Sequence, residues 1–128
     1  MSEAYSDVVL DHFKNPRNVG TLSAGIVGQA ENPASGASLH LYLSIGEHKV
    51  IERVYFKAHG CAATIAAGSI TTELLVGRAM DDGPILSKDE LAEALGGLPP
   101  ARKHAYRLVT DAIRSAVERY SVFITESA

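Results

Sequence analysis

The stretch from Ser38 to Ile45 alternates strictly between aliphatic and polar or aromatic side chains, and this pattern constrains the fold more than any other. Alternation with a period of two puts the aliphatic residues on one face of an extended segment. Residues 46–48 follow as a turn, and Lys49 to Lys57 is again rich in β-branched and aromatic residues. The pattern predicts an antiparallel hairpin with one buried face.

One more strand and several helices are predicted around this hairpin. A strand near Ile26 to Glu31 completes a small sheet. An amphipathic helix precedes it, with Tyr5, Val8, Val9 and Phe13 at helical spacing and a stop before Pro16. The predicted fold class is therefore α+β, with a small antiparallel sheet of about three strands and the helices packed on one face.

Three further helices are predicted after the sheet. The first opens at Cys61 and ends at Gly77, and the second opens with a capping box at Ser87. The last helix follows Pro99-Pro100 and carries an unusually regular apolar stripe. The members of that stripe are Ala105, Leu108, Val109, Ala112, Ile113, Ala116, Val117 and Tyr120.

The composition excludes several classes of protein. With 128 residues, 46% of them hydrophobic, the chain predicts a single domain over residues 1–128. A formal net charge of -3 argues against a nucleic-acid partner, because phosphate binding needs clustered basic residues. No leader pattern and no long apolar run is present, so the sequence predicts a cytoplasmic protein with no membrane association.

A single cysteine, Cys61, limits the chemistry of the chain. It excludes an internal disulfide framework and any cysteine-only metal site built from one chain. A free cysteine among alanines is most often a small buried hydrophobe. Cys61, however, stands at the start of a predicted helix, where the helix dipole stabilises a thiolate. A functional thiol is the favoured interpretation.

Three segments of the sequence resemble the iron–sulfur cluster assembly scaffolds of the IscU and NifU N-terminal type. They are Tyr5 to Gly20, Phe56 to Cys61 and Leu98 to His104. Each motif alone is weak, but the three occur in the right order with the right elements between them. The resemblance covers nearly the whole chain and implies the family's α+β fold and a scaffold rather than an enzyme.

The resemblance also shows which ligands this chain lacks. Such scaffolds have a cysteine before the central strand, an aspartate two residues later, a cysteine at a helix start and a His-Cys or Cys-Cys pair at the last helix. Ser35, Ala37 and Ala105 occupy three of these positions, whereas Cys61 and His104 match the remaining two. The resemblance therefore implies Cys61 and His104 as the metal ligands and a degenerate set around them.

Two donors cannot enclose a metal centre by themselves. A [2Fe-2S] cluster or a tetrahedral zinc ion needs four. We therefore expect the chain to hold iron, zinc or a cluster only with ligands from another chain, and the isolated monomer to hold none. In a homo-oligomer, two copies of Cys61 and two of His104 would supply four donors.

The partners follow from the same resemblance. In the family, a Leu-Pro-Pro-Val-Lys segment docks an Hsp70-type chaperone, and here the segment reads Leu98, Pro99, Pro100, Ala101 and Arg102. A cysteine desulfurase is the other implied partner. The main alternative function is a metal-free adaptor or regulator that binds desulfurase or chaperone. An enzyme with Cys61 as nucleophile and His104 as base lacks a third residue to orient the base.

Overall fold

The computed structural model describes residues 4–81 and 85–127. After one short helix, the three strands come first and the remaining helices follow. In chain order they are α1 (Asp7–Lys14), β1 (Ile26–Asn32), β2 (Ala37–Ile45), β3 (Ile51–His59), α2 (Ala62–Leu75), α3 (Lys88–Leu95) and α4 (His104–Ser127). Two short 3₁₀ turns lie at Glu47–Lys49 and Pro100–Arg102.

The three strands form an antiparallel sheet in the order β1-β2-β3, which confirms the predicted hairpin and the third strand. On β2 the aliphatic residues Leu39, Leu41 and Leu43 are buried, as the alternation requires. β3 begins and ends two residues later than predicted, because Glu47–Lys49 forms a 3₁₀ turn instead of the start of a strand.

Helices α2 and α4 cover the same face of the sheet. Gly28 on β1 pairs with Leu41 on β2, which pairs with Phe56 on β3, so the three residues share one face. Gly28 lies directly against α4, and Phe56 lies against Gly68 of α2. The predicted packing of helices on one face is confirmed.

The apolar stripe of α4 and the start of α3 also match the sequence. Every predicted stripe residue of α4 is buried except Val117, which is half-buried. Ser87 and Glu90 form the reciprocal capping box that opens α3, and Gly96 closes the helix in a left-handed conformation. α2 ends at Leu75, two residues before the predicted Gly77.

The predicted apolar face of α1 is wrong in part. Val9 is fully buried, but Val8 and Phe13 are 38% and 42% exposed. His12 is buried instead, and its Nδ1 atom lies 2.7 Å from Ser69 Oγ of α2. This hydrogen bond allows a polar side chain to face the core, which hydrophobic periodicity does not detect.

The environment of His12 favours the neutral imidazole. Burial and the positive charge of Arg17 lower the pKa of His12 below its ordinary value of 6.5, and Glu73 opposes them only in part. Ser69 Oγ accepts the Arg17 N–H at 2.8 Å, which leaves its hydroxyl hydrogen free to be donated to an unprotonated Nδ1. His12 therefore links α1 to α2 through its hydrogen bond to Ser69.

No helix within residues 4–81 and 85–127 combines the length and apolar character needed to cross a membrane.

Candidate metal-binding site

Cys61 lies where β3 ends and α2 begins. The strand ends at His59, and Gly60 turns the chain with φ +151° so that Cys61 becomes the N-cap of α2. The thiol is partly exposed, and its sulfur lies 3.7 Å from the hydroxyl oxygen of Thr64. The first turn of a helix leaves backbone N–H groups without helical partners, and these favour a negative charge at this position.

The thiol is more acidic than an ordinary cysteine. Burial alone would raise the pKa of Cys61, but the backbone and hydroxyl of Thr64, the backbone of Ala63 and the charge of Arg102 outweigh it. The net effect lowers the pKa of Cys61 below its ordinary value of 9.0. A thiolate is the form that binds metal, so the site favours the reactive state.

Replacing Thr64 with valine is expected to slow alkylation of Cys61 near neutral pH. The hydroxyl that stabilises the thiolate would be lost while the side-chain shape is kept, so the pKa of Cys61 would rise. The rate of reaction with iodoacetamide, measured against pH, should show its midpoint at higher pH in the variant. Thr125→Val on the exposed end of α4 is the matched control and should leave the profile unchanged. A profile for Thr64→Val that overlies the wild type would contradict this role of the hydroxyl.

The turn between β1 and β2 borders the start of α2. Ser35 is exposed, and its hydroxyl accepts a hydrogen bond from the Ala37 N–H at 3.2 Å. Ala37 is buried, and a Cβ atom on Gly60 would lie 3.2 Å from the Ala37 Cβ. The positions matched to the first cysteine and the aspartate therefore adjoin the Cys61 turn, and neither carries a metal-binding group.

His104 opens α4 on the other side of the same turn. It lines a groove of about 300 Å³ together with Asn32 and Pro33, at the end of β1, and with Arg107 and Asp111 further along α4. Ala105, the position matched to the last cysteine, is buried and presents only a methyl group. His104 is partly exposed and so accessible to a metal ion.

These contacts place the starts of α2 and α4 at one edge of the sheet. Arg102 is close enough to Cys61 to lower the pKa of that thiol, and it precedes His104 by only two residues. The β1–β2 turn adjoins both helix starts, through Ala37 and through Pro33. The structure thus places Ala37 beside the turn that precedes Cys61, and Pro33 beside His104, whereas a metal site formed by Cys61 and His104 stays a prediction.

The residues at this edge do not fit a complete metal site. In the described part of the chain, no group of three or more histidine, cysteine or acidic side chains is arranged to hold a metal ion. His12 is buried against α2, and His48 lies in the turn between β2 and β3. Within the described residues, no third side chain of these types is grouped with Cys61 and His104.

Sequence reasoning missed two residues that act on Cys61. Thr64 stands three residues after the N-cap, a spacing that places its hydroxyl and N–H near the cap residue and could have identified it. Arg102 was predicted only as part of the chaperone-like segment, and no local pattern links it to Cys61. The electrostatic effect of Arg102 on Cys61 depends on the tertiary fold, which brings the turn before α4 near the start of α2.

The chaperone-like segment forms an anchored, exposed turn. Leu98 is buried, and its backbone bonds to Tyr106. Pro100 and Ala101 are exposed, and the Arg102 N–H donates to the Pro99 carbonyl at 2.8 Å. The segment is presented at the surface immediately before His104.

The sequence matches the family model of the NifU-like N terminal domain over residues 4–126. Among curated proteins, it is 42% identical to an iron-sulfur cluster assembly scaffold protein IscU of Archaeoglobus fulgidus, over 91% of this chain and 76% of that protein. It is 40% identical to the IscU scaffold protein of Azotobacter vinelandii and 36% identical to that of Escherichia coli K12. Each alignment covers 91% of this chain and 94% of the relative.

Solved structures share the fold at lower sequence identity. A protein from Fervidobacterium islandicum assigned as an iron-sulfur cluster assembly scaffold for the SUF system superposes with a TM-score of 0.68 at 20% identity, covering 88% of this chain and 96% of that one. The N-terminal part of a NifU-like protein from Brucella abortus gives a TM-score of 0.62 at 17% identity, covering 89% and 94%.

Proposed function

Because the chain belongs to the NifU-like N-terminal domain family, we propose that it works in iron–sulfur cluster assembly as a scaffold-like protein with an incomplete ligand set. Its role is non-catalytic and cytoplasmic. The cargo is iron, zinc or a [2Fe-2S] cluster, held by Cys61 and His104 together with ligands from another chain. The cluster-assembly relatives at about 40% identity support the pathway.

The observation that carries the proposal is that only some of the predicted ligand positions carry a metal-binding side chain. Cys61 keeps a thiol whose pKa is lowered by its surroundings, and His104 is partly exposed in the groove next to Asn32 and Pro33. Ala37 and Ala105, in contrast, are buried and bring no donor to the same edge. Thiolate and imidazole suit both iron–sulfur clusters and zinc, which need four donors in all. The chain supplies two of them.

A metal-free adaptor is the second proposal, and one observation favours it. Pro100 and Ala101 are exposed in the chaperone-like turn, so this surface is accessible to a partner without any metal. An adaptor would bind a desulfurase or an Hsp70-type chaperone through the fold alone. Arg102 keeps a positive charge at the end of the segment, where the family pattern has a lysine.

Reconstitution with ferrous iron and sulfide, followed by sedimentation, tests the first proposal. We expect the monomer to carry no stoichiometric cluster, and any cluster or zinc that binds to appear in a species containing two chains. The second chain is either another copy or a cysteine-complete scaffold added to the mixture. Cys61→Ala and His104→Ala should abolish metal-dependent association.

The matched control is His48→Ala, because His48 is an exposed histidine in the turn between β2 and β3, outside the candidate metal site. It should associate like the wild type. One cluster per monomer that survives Cys61→Ala would contradict the assigned ligands. Failure of every mixture to bind iron or zinc would leave the adaptor as the better explanation, and binding of a purified Hsp70-type chaperone would then be measured directly.

A further inference from the structure

The apolar stripe of α4 continues beyond the part of the helix that the rest of the chain covers. Between residues 104 and 126 of the helix, Tyr120 is the last buried residue. Phe123, three residues further on, continues the stripe and is 55% exposed, and Val122 beside it is 56% exposed. Isolated exposed apolar residues are ordinary, but an exposed continuation of a core stripe marks an interaction surface.

A groove accompanies these residues. It has a volume of about 530 Å³ and lies between the start of β1, at Ile26 and Val27, and the face of α4 that carries Val122 and Phe123. Apolar side chains and an apolar groove thus occur side by side on one surface. Such a surface is complementary to a second copy of itself, because each copy offers both a projecting side chain and a groove.

The charges on this face are arranged symmetrically about the apolar pair. Arg119 and Glu126 line the groove together with Val122 and Phe123, at spacings of three, four and seven residues that place all four on one helix face. Within the described residues, neither Arg119 nor Glu126 has an ion-pair partner. A two-fold axis between Val122 and Phe123 would bring each Arg119 opposite Glu126 of the second copy.

We propose that this α4 face, formed by Arg119, Val122, Phe123 and Glu126, mediates homodimerisation through two antiparallel copies of the helix. The apolar pair packs at the two-fold axis, and one Arg119–Glu126 ion pair closes each end. The charges also argue against an anionic membrane as the occupant, because Glu118 and Glu126 outnumber Arg119 at the groove.

The interface is separate from the candidate metal site. His104 and Phe123 lie on α4 about 28 Å apart along the helix axis, at a rise of 1.5 Å per residue. Dimerisation through this face therefore leaves Cys61 and His104 uncovered. The exposed end of α4 covers only about 10 Å of helix, less than a standard interface requires, so we expect a weak, concentration-dependent dimer.

Sedimentation equilibrium of the metal-free chain, over micromolar to millimolar concentrations, tests the proposal. The wild type should pass from monomer to dimer, and Phe123→Glu should remain monomeric. Phe13→Glu, which places the same charge at an exposed phenylalanine of α1, is the matched control and should dimerise normally. Circular dichroism of each variant checks that it is folded.

Charge reversal provides the decisive test. Arg119→Glu should weaken the dimer by about tenfold, because it sets like charges opposite each other at both ends. The double variant Arg119→Glu with Glu126→Arg should restore the wild-type affinity. A wild type that stays monomeric throughout would overturn the proposal, as would a double variant that fails to recover. Binding to phosphatidylglycerol vesicles by a monomeric wild type, lost in Phe123→Glu, would overturn it in favour of a membrane surface.

Discussion

Replacing Gly28 with alanine is expected to lower the free energy of unfolding by about 3 kcal/mol or more, the upper range for overpacking a buried site. The added Cβ would lie 2.2 Å from the Ala112 carbonyl oxygen and 2.7 Å from the Ala116 Cβ. Both neighbours belong to α4, and one is backbone, so relief requires the whole helix to move away from β1. That movement would open the contact between the sheet and its longest helix.

Urea denaturation of both variants measures this effect. Gly36→Ala is the control, since Gly36 has φ +77° but nothing lies within 4 Å of its added Cβ. The control should lose only about 1 kcal/mol, the cost of placing a side chain in the left-handed region. A Gly28→Ala variant no less stable than Gly36→Ala would show that α4 does not press on β1 as closely as the structure indicates.

The parts of the fold that the sequence predicted share one physical cause. Where a single face is buried, side-chain polarity must follow the geometry of the element, with period two on β2 and a period near 3.6 on α4. Leu39 and Leu41 on β2, and Leu108 and Ala112 on α4, obey this rule, and all four are buried. The same rule gives the hairpin and the packing of helices on one side.

α1 shows where this reasoning fails. Its buried face runs through Val9 and His12, with the half-buried Tyr5 just before the helix, so it includes a polar residue. The exposed Phe13 was predicted on the apolar face because it is hydrophobic. The burial of His12 depends on a hydrogen bond to Ser69, 57 residues away in the sequence. No local pattern contains that information.

The candidate site was predicted by resemblance and not by periodicity. Cys61 at a helix start was recognisable from the sequence alone, but His104 on its own reads as a surface residue of a first helical turn. The structure adds the shared turn beside Ala37 and the influence of Arg102 on the pKa of Cys61. These relations join segments 23 and 41 residues apart in the sequence, so they emerge only when the fold is known.

Restoring two thiols is expected to convert the chain into a protein that holds a metal centre alone. The double variant Ser35→Cys with Ala105→Cys would add two donors to Cys61 and His104, at the edge where the β1–β2 turn meets the starts of α2 and α4. Four donors of this kind satisfy tetrahedral zinc or a [2Fe-2S] cluster. Ala37→Asp is left out of the design, because Ala37 is buried and a carboxylate there would have to be desolvated.

After reconstitution with ferrous iron and sulfide, the double variant should carry about one cluster per monomer, against essentially none for the wild-type monomer. Elemental analysis and visible absorption measure this directly.

Ser35→Cys with Ser121→Cys adds the same number of thiols but places one on the exposed end of α4, so it should bind no stoichiometric cluster. Adding Cys61→Ala to the double variant should abolish the cluster, since only three donors would remain. If the double variant folds but stays metal-free, the edge lacks the geometry for a cluster. The missing ligands alone would then not explain a metal-free wild-type monomer.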